Sequence, residues 1–211
     1  MKISRGRILL ILGILLVVID QIIKILVKTN MTLGEHFNVI GDWFQILFIE
    51  NEGMAFGMKF GGMFGKFLLT SFRVVLFAVL CWWITRLNLH GRDGKRVPTG
   101  VLVGLTLITA GAFGNIIDCL VYGQMFSSST PYAVAQFGGS YAPVMFGRVV
   151  DMFYFPLIDT EWPSWMPIIG GHPFRFFEPV FNFADSCVTI GAFYLILFQY
   201  KFFASETENK K

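Results

Sequence analysis

The chain has 211 residues, of which 55% are hydrophobic, 17% are aromatic and only 15% are charged, with a mean hydropathy of +0.62. Soluble domains carry about 25% charged residues, so this composition excludes an ordinary soluble protein and predicts an integral membrane protein. The net charge of +3 is too small to indicate a nucleic-acid surface, and three cysteines without a C-x-x-C pair imply no disulfide framework. No Pro/Ser-rich linker divides the chain, so we expect one polytopic membrane domain over residues 1–211.

The first predicted span covers residues 8–27, which form about 30 Å of helix and can cross a bilayer. Its basic start resembles a signal peptide but lacks a small-x-small cleavage pattern, so we expect a retained helix. Asp20, Lys24 and Lys28 follow one another at intervals of four residues and therefore share one helical face. Two interpretations are open: an internal ion pair that lets the helix end snorkel, or a charged face turned inward towards a site.

The segment 29–65 is predicted to be an outer loop with two short strands between His36 and Glu50, around a turn at Gly41-Asp42. Asn51 and Gly53 come directly afterwards. A glycine near an asparagine suits tight backbone geometry close to a ligand, although an ordinary turn has the same composition.

The second and third predicted spans cover residues 67–84 and 98–120, the latter starting at a proline that suits the first turn of a helix. The third span ends in Gly114-Asn115-x-x-Asp118. Asn115 and Asp118 are three residues apart, so we expect both side chains on one side of the helix end.

The second outer loop is predicted at residues 121–178, and Asp151 lies within a short apolar stretch of it. The aromatic and proline-rich residues 156–179 fit a segment at the level of the lipid headgroups. The last predicted span covers residues 179–203 and opens on Asn182 and Asp185. Ionisable groups inside a membrane segment are expensive, so Asp185 is a candidate functional residue.

Positive charges predict the orientation of the spans, because cytoplasmic segments are enriched in Lys and Arg. With four spans, both termini are placed in the cytoplasm, and the loops 29–65 and 121–178 face outward. The ten basic residues on the predicted inner side are Lys2, Arg5, Arg7, Arg86, Arg92, Lys95, Arg96, Lys201, Lys210 and Lys211. Polar residues from five separate segments then converge on the outer side: Asp20, Asn51, Asn115, Asp118, Asp151, Asn182 and Asp185.

The sequence lacks the motifs of several other classes of hydrolase. The three histidines are dispersed without an H-E-x-x-H motif, so a zinc protease is not expected, and no G-x-S-x-G motif occurs. The spacing of residues alone does not exclude a catalytic Ser–Lys pair, in which Ser186 would be the serine and Lys24 the lysine.

Two carboxylates held close together share a proton, so that one takes a proton from water while the other polarises a carbonyl. Asp151 and Asp185 are the candidates, and peptide hydrolysis by such a pair needs neither a metal nor a covalent intermediate. The alternative is that Asp185 merely caps the last helix and Asp151 is a solvated loop residue.

The sequence resembles the lipoprotein signal peptidases (signal peptidase II), four-span aspartyl proteases of bacterial inner membranes. The resemblance rests on five motifs in family order: Asp20-Gln21-x-x-Lys24, Asn51-x-Gly53-x-Ala55-Phe56, Gly114-Asn115-x-x-Asp118, Val149-Val150-Asp151-x-Phe153 and Phe181-Asn182-x-Ala184-Asp185-Ser186. It implies that Asp151 and Asp185 are catalytic. It further implies supporting or substrate-binding roles for seven residues: Asp20, Lys24, Asn51, Gly53, Asn115, Asp118 and Asn182.

The resemblance also implies a fold and a substrate. We expect a four-span helical bundle with a small extracytoplasmic β-element and an interfacial segment, with the active site at the outer face of the inner membrane. The expected substrate is a prolipoprotein whose lipobox cysteine carries diacylglycerol, and cleavage falls just before that cysteine. Membrane lipid is an expected partner, the protein is expected to be a monomer, and neither nucleic acid, metal nor cofactor is expected.

Two departures from the family pattern stand out. Cys119 occupies a position where the family usually has arginine, and we hypothesise that Arg148 or Arg175 replaces that arginine. The 32 residues between Asp118 and Asp151, and the 33 between Asp151 and Asp185, exceed the expected lengths. Three interpretations of these segments are open: a lid, an element that determines substrate choice, or a passive insertion.

Two other functions remain as alternatives. One is a proton-coupled transporter with a relay through Asp20, Lys24, Asp118 and Asp185, and the other is a non-catalytic membrane assembly factor. The crowding of ionisable residues at one surface and the absence of a visible inverted repeat argue against the transporter.

Overall fold

The structure is a computed structural model, and it describes residues 4–52, 62–92, 94–168, 170–176 and 179–208. The helices are α1 (Arg5–Asn30), α2 (Gly62–His90), α3 (Thr99–Ile117), the short turn α4 (Gly123–Met125), α5 (Phe183–Phe198) and α6 (Tyr200–Glu208). A π-helical turn, Asp118–Tyr122, joins α3 to α4. The strands are β1 (His36–Ile40), β2 (Phe44–Asn51), β3 (Val149–Tyr154), β4 (Ile158–Glu161) and β5 (Pro173–Phe176).

Three helices in the described part of the chain are long and apolar enough to cross a membrane: α1, α2 and α3 with its continuation to Met125. The fourth apolar helix, α5, is shorter, with 16 residues. The predicted membrane architecture with a small β-element is thereby confirmed. The helix ends differ from the predicted ones, because the sequence marks where apolar runs stop and not where helical hydrogen bonding stops. Thus α1 continues past Val27 to Asn30, and the last predicted span is divided at Gln199 between α5 and α6.

Helix α3 is the central helix of the bundle. In its most apolar stretch 61% of the residues are buried, against 17% in α1 and 6% in α2, which face outward along most of their length. Small residues let α5 approach α3 closely. A Cβ added at Gly111 would collide with the carbonyl oxygen of Ala184, so the two backbones are in contact there.

The main sheet has three antiparallel strands in the order β1-β2-β3. The hairpin β1–β2 agrees with the two strands expected between His36 and Glu50. Strand β3, which carries Asp151, was not expected as a strand, because its continuous apolar run lacks the alternation of a half-buried strand. It pairs with β2 so that Ile49 lies opposite Asp151 and Glu50 lies opposite Val150.

The aromatic segment 156–179 contains the second, two-stranded sheet, in which β4 pairs with β5. The preceding loop is closed by two isolated bridges, Phe126 with Phe137 and Thr130 with Ala133. The backbone N–H of Leu33 also donates to the Thr130 carbonyl oxygen at 3.0 Å. This loop is therefore joined to the chain that follows α1.

Two apolar clusters hold these parts together. One lies between α1, the end of α2, α3 and α5, with Leu9, Leu87, Leu102, Leu105 and Leu195 among its buried members. The other lies beneath the main sheet, and its buried members include Met31, Phe48, Tyr122, Phe126, Val150 and Met152. The second cluster packs β3 against the ends of α1 and α3. Polar residues of α1, α3 and β3 meet where these three elements are packed together.

Candidate active site

The charged face of α1 points into the protein. Asp20 and Lys24 are 1% and 0% exposed, so the ammonium group has lost its water and needs protein partners. Lys24 Nζ lies 3.0 Å from Asp20 Oδ2 and 2.8 Å from Asp118 Oδ2. The ion pair of the first interpretation exists, but it is buried and does not snorkel. The charged face turns inward, as the second interpretation expected, and its role at a functional site stays a prediction.

The end of α3 supplies the next two predicted residues. Asn115 Oδ1 accepts a hydrogen bond from Lys24 Nζ at 2.8 Å. Asp118 is the first residue of the π-helical turn, and its Oδ2 also accepts from the backbone N–H of Val150 in β3 at 3.2 Å. Asp118 therefore joins α1, α3 and β3 at one point.

The start of α5 supplies Asn182 and Asp185 as a capping box. Asn182 Oδ1 accepts from the backbone N–H of Asp185 at 2.9 Å, and Asp185 Oδ2 accepts from the backbone N–H of Asn182 at 3.5 Å. The other oxygen, Asp185 Oδ1, accepts from Asn115 Nδ2 at 2.8 Å. Asp185 does cap the helix, as the purely structural alternative expected. It also belongs to the buried polar network and keeps part of its surface exposed.

Asp151 is 2% exposed on β3, so the alternative of a solvated loop residue is wrong. Asn182 Nδ2 donates to Asp151 Oδ1 at 2.7 Å and lies 3.0 Å from Asn115 Oδ1. The two aspartates are thus linked through two amides, in the order Asp151, Asn182, Asn115, Asp185. Asn51 adds a further hydrogen bond to Asp151, so a third predicted supporting residue, after Asn182 and Asn115, contacts the pair.

The electrostatics of Asp151 suit proton transfer near neutral pH. Burial raises the pKa of the Asp151 carboxyl to about 7, and the nearby Asp185 carboxylate acts in the same direction. The hydrogen bond from Asn182 partly opposes this rise because it favours the ionised form. The Asp151 carboxyl is therefore able to hold a proton near neutral pH, as an acid that donates to a carbonyl oxygen must.

Two supporting residues were not among the predicted site residues. Gln21 Nε2 lies 3.1 Å from Asp20 Oδ2 and 3.1 Å from Asp118 Oδ1, and its Oε1 accepts from the Tyr122 hydroxyl at 3.0 Å. The sequence signal for Gln21 is its position next to Asp20 in the first motif. Tyr122 carries no such signal, because it reaches the site only through the π-helical turn.

The remaining expected residues have different outcomes. Gly53 lies outside the described residues. Arg148 pairs with a carboxylate, as the hypothesis allows: its Nη1 donates to Glu50 Oε2 at 3.2 Å. That it replaces the arginine expected at position 119 stays a prediction. The guanidinium that contacts Cys119 belongs to Arg73 of α2, with Nη1 3.6 Å from the sulfur. The structure does not describe the side chain of Arg175.

Comparison with known proteins gives a family match over most of the chain. The family model described as signal peptidase (SPase) II matches residues 12–201. A protein named lipoprotein signal peptidase from Porphyromonas gingivalis is 46% identical over 199 residues, which cover 93% of this chain and 84% of the relative. A protein of the same name from Amoebophilus asiaticus is 34% identical, with 88% of this chain and 75% of the relative covered.

Solved structures give a similar result. A bacterial membrane enzyme determined by the in meso method at 2.3 Å resolution superposes with a TM-score of 0.58 and 25% identity, covering 96% of this chain and 91% of that one. A second structure of the same description, at 1.9 Å resolution, has a TM-score of 0.56 and covers 90% of both chains.

Proposed function

This chain belongs to the signal peptidase II family, and we propose that it removes the signal peptide of diacylglyceryl-modified prolipoproteins by aspartic catalysis at Asp151 and Asp185. The observation that carries the catalytic assignment is the hydrogen-bonded path from one carboxyl to the other through Asn182 and Asn115. Such a path fixes both carboxyls relative to each other through neutral amides.

The chemistry follows from the two environments. Asp185, which is partly exposed, takes a proton from a water molecule as the water oxygen forms a bond to the scissile carbonyl carbon. Asp151, buried and protonated near neutral pH, donates its proton to the carbonyl oxygen and gives a tetrahedral diol. Asp185 then gives its proton to the peptide nitrogen while Asp151 takes a proton from one hydroxyl of the diol. The C–N bond breaks, a carboxylic acid and an amine are released, and both aspartates return to their starting protonation states.

The residues around the pair act as its scaffold. Lys24 is held by Asp20 and Asp118 and donates to Asn115, which in turn donates to Asp185. The lysine orients the amide of Asn115 and does not act on the substrate. We also propose that Asn51 and Gly53 contact the substrate.

The location of the pair suits a lipid-anchored substrate. The aspartates lie where the small sheet meets the helix ends, so the acyl chains can stay in the bilayer while the bond before the lipidated cysteine reaches the carboxyls. We place this site at the outer face of the bacterial inner membrane, with both termini in the cytoplasm. We further propose that the enzyme works as a monomer surrounded by lipid.

The test is cleavage of a diacylglyceryl-modified prolipoprotein peptide by the purified protein. Asp151→Asn and Asp185→Asn should each lower kcat by about 10²-fold or more, because each removes one partner of the proton transfer. Asp42→Asn is the matched control, since Asp42 is an exposed carboxylate in the turn between β1 and β2. It should cleave like the wild type.

The outcomes separate the competing functions. Retained cleavage in either asparagine variant would remove that aspartate from the mechanism. A wild-type protein that leaves the lipidated peptide intact would contradict the proposal, and proton flux in liposomes would then test the transporter alternative.

A further inference from the structure

A second buried charge cluster lies one helical turn beyond Lys24, outside the scaffold of the aspartate pair. Lys28 is fully buried and forms an ion pair with Glu50 of β2, whose side chain is 1% exposed. Lys28 Nζ donates to Ser129 Oγ at 2.9 Å, and that hydroxyl donates to Glu50 Oε1 at 2.8 Å. Arg148 binds the other carboxylate oxygen at 3.2 Å. We call these four residues the Glu50 cluster.

The surroundings of the Glu50 cluster favour its cations. The ammonium of Lys28 lies 5.0 Å from the ring centroid of Tyr141 and 5.4 Å from that of Phe126. The Arg148 guanidinium lies 5.6 Å from the same tyrosine ring, and its backbone N–H donates to the tyrosine hydroxyl at 2.8 Å. Buried ion pairs contribute little net stability, but they allow few arrangements of the groups that they join.

The Glu50 cluster is connected to the strand that carries Asp151. Glu50 lies opposite Val150, the residue before Asp151, in the pairing of β2 with β3. The N–H of Val150 donates to Asp118 at 3.2 Å, and its carbonyl oxygen accepts from Asn182 at 3.3 Å. The strand is therefore held at one residue by the end of α3, by the start of α5 and, through Glu50, by α1.

We propose that the Glu50 cluster is a positioning device for the reaction, which fixes β3 and the Asp151 carboxyl relative to α1. The loop after α4 supplies Ser129, and the chain leading into β3 supplies Arg148, so this long segment braces the catalytic strand. It is neither a lid nor a passive insertion. This inference rests on the proposed function, because it assigns the cluster a part in the same reaction.

The first test measures kcat and KM for the lipidated peptide in three variants. Glu50→Gln should lower kcat by about 10- to 100-fold with KM nearly unchanged, because a displaced carboxyl loses its alignment with the bond and not its substrate contacts. Ser129→Ala keeps both charges and should give a smaller loss of kcat. Asp42→Asn, an exposed carboxylate of the same hairpin, should behave like the wild type.

The second test separates positioning from stability. Lys28→Met/Glu50→Gln removes both buried charges, so it should recover thermal stability that Glu50→Gln alone loses by leaving a buried cation unpaired. A positioning role predicts that kcat stays low in the double variant. A kcat that recovers together with the melting temperature would overturn the proposal.

The third test measures how firmly β3 is held and does not depend on enzymatic activity. Hydrogen exchange measured by mass spectrometry should become faster for residues 149–154 in Glu50→Gln, whereas residues 183–198 should keep the wild-type rate. Unchanged exchange of β3 would refute the positioning role, even if the wild-type protein proved inert on the peptide. If the wild type cleaves, both aspartate variants fail and Glu50→Gln is fully active, the proposed function stands and this inference falls.

Discussion

Lys24 shows at the scale of one residue why the site needs all of its acidic partners. An ammonium group with no exposed surface loses its hydration, and Lys24 regains that energy from Asp20, Asp118 and the amide oxygen of Asn115. The lysine has no further donor to offer, since an ammonium group has three. It therefore orders the scaffold around the proposed catalytic aspartates.

Asp151 gives the prediction at this scale. The native carboxyl has a pKa of about 7 against 3.8 for the ordinary group, so the folded protein binds this proton more tightly than the unfolded chain. The contribution of this carboxyl to the free energy of unfolding is fully present below pH 3.8, and it is lost as the pH rises from 3.8 to about 7. Asp151→Asn removes this loss and should be more stable than the wild type at pH 8, by up to about 4 kcal/mol.

The measurement is thermal unfolding of both proteins in detergent at pH 4 and pH 8. The stabilisation should be large at pH 8 and small at pH 4, because at pH 4 the native carboxyl is protonated and the unfolded one, with a pKa of 3.8, is only partly ionised. The exposed Asp42→Asn serves as control for the loss of a carboxylate. Equal unfolding temperatures of wild type and Asp151→Asn at pH 8 would contradict a raised pKa.

At the scale of elements, the contact between α3 and α5 sets the geometry of the start of α5. Gly111 lies against the carbonyl oxygen of Ala184, and a Cβ at this glycine would also come within 2.8 Å of Val188 Cγ2. A backbone carbonyl cannot rotate away as a side chain can. The separation of the two helices therefore depends on the missing side chain at this position.

Gly111→Ala should accordingly destabilise the protein by about 1–3 kcal/mol and lower kcat, because it displaces α5 next to Asp185. Gly13→Ala in α1 is the matched control, since its Cβ would make an ordinary contact of 3.6 Å with Thr106. Alanine is the better helix former, so this control should be neutral or slightly stabilising. Thermal unfolding and peptide cleavage measure both effects, and wild-type behaviour of Gly111→Ala would show that the helices separate without cost.

At the scale of the whole molecule, the orientation in the membrane decides whether the site meets its substrate. The positive residues predict that the loop after α4 lies outside and that the turn between α2 and α3 lies in the cytoplasm. Tyr132 is 94% exposed in the first of these segments, and Lys95 is exposed in the second. The two positions are therefore accessible reporters for opposite sides.

Tyr132→Cys should react with a membrane-impermeant maleimide added to intact spheroplasts, whereas Lys95→Cys should react only after the membrane is permeabilised. The wild type controls for the native cysteines, of which Cys119 and Cys187 are buried and Cys81 is partly buried. Labelling of Lys95→Cys in intact spheroplasts would reverse the proposed orientation and place the aspartate pair on the cytoplasmic side.

Features that depend on local patterns could be predicted from the amino-acid sequence. Apolar runs predicted the helices, the spacing of four residues put Asp20 and Lys24 on one face, and the spacing of three put Asn115 and Asp118 on one side. Hydropathy and helical periodicity are properties of neighbouring residues, so a single chain is enough to read them. The five motifs then led to the family and to the aspartate pair.

Contacts between distant segments became visible only in the folded chain. Folding paired β3 with β2, connected Asp151 to Asp185 through Asn182 and Asn115, and brought Arg73 to Cys119. Each of these contacts joins residues that are far apart in the chain, and no local pattern marks which distant residue will be the partner. The Glu50 cluster belongs to the same class, because burial removes the water of Lys28, Glu50 and Ser129 and leaves them one another as partners, while Arg148 pairs with Glu50 from a partly exposed position.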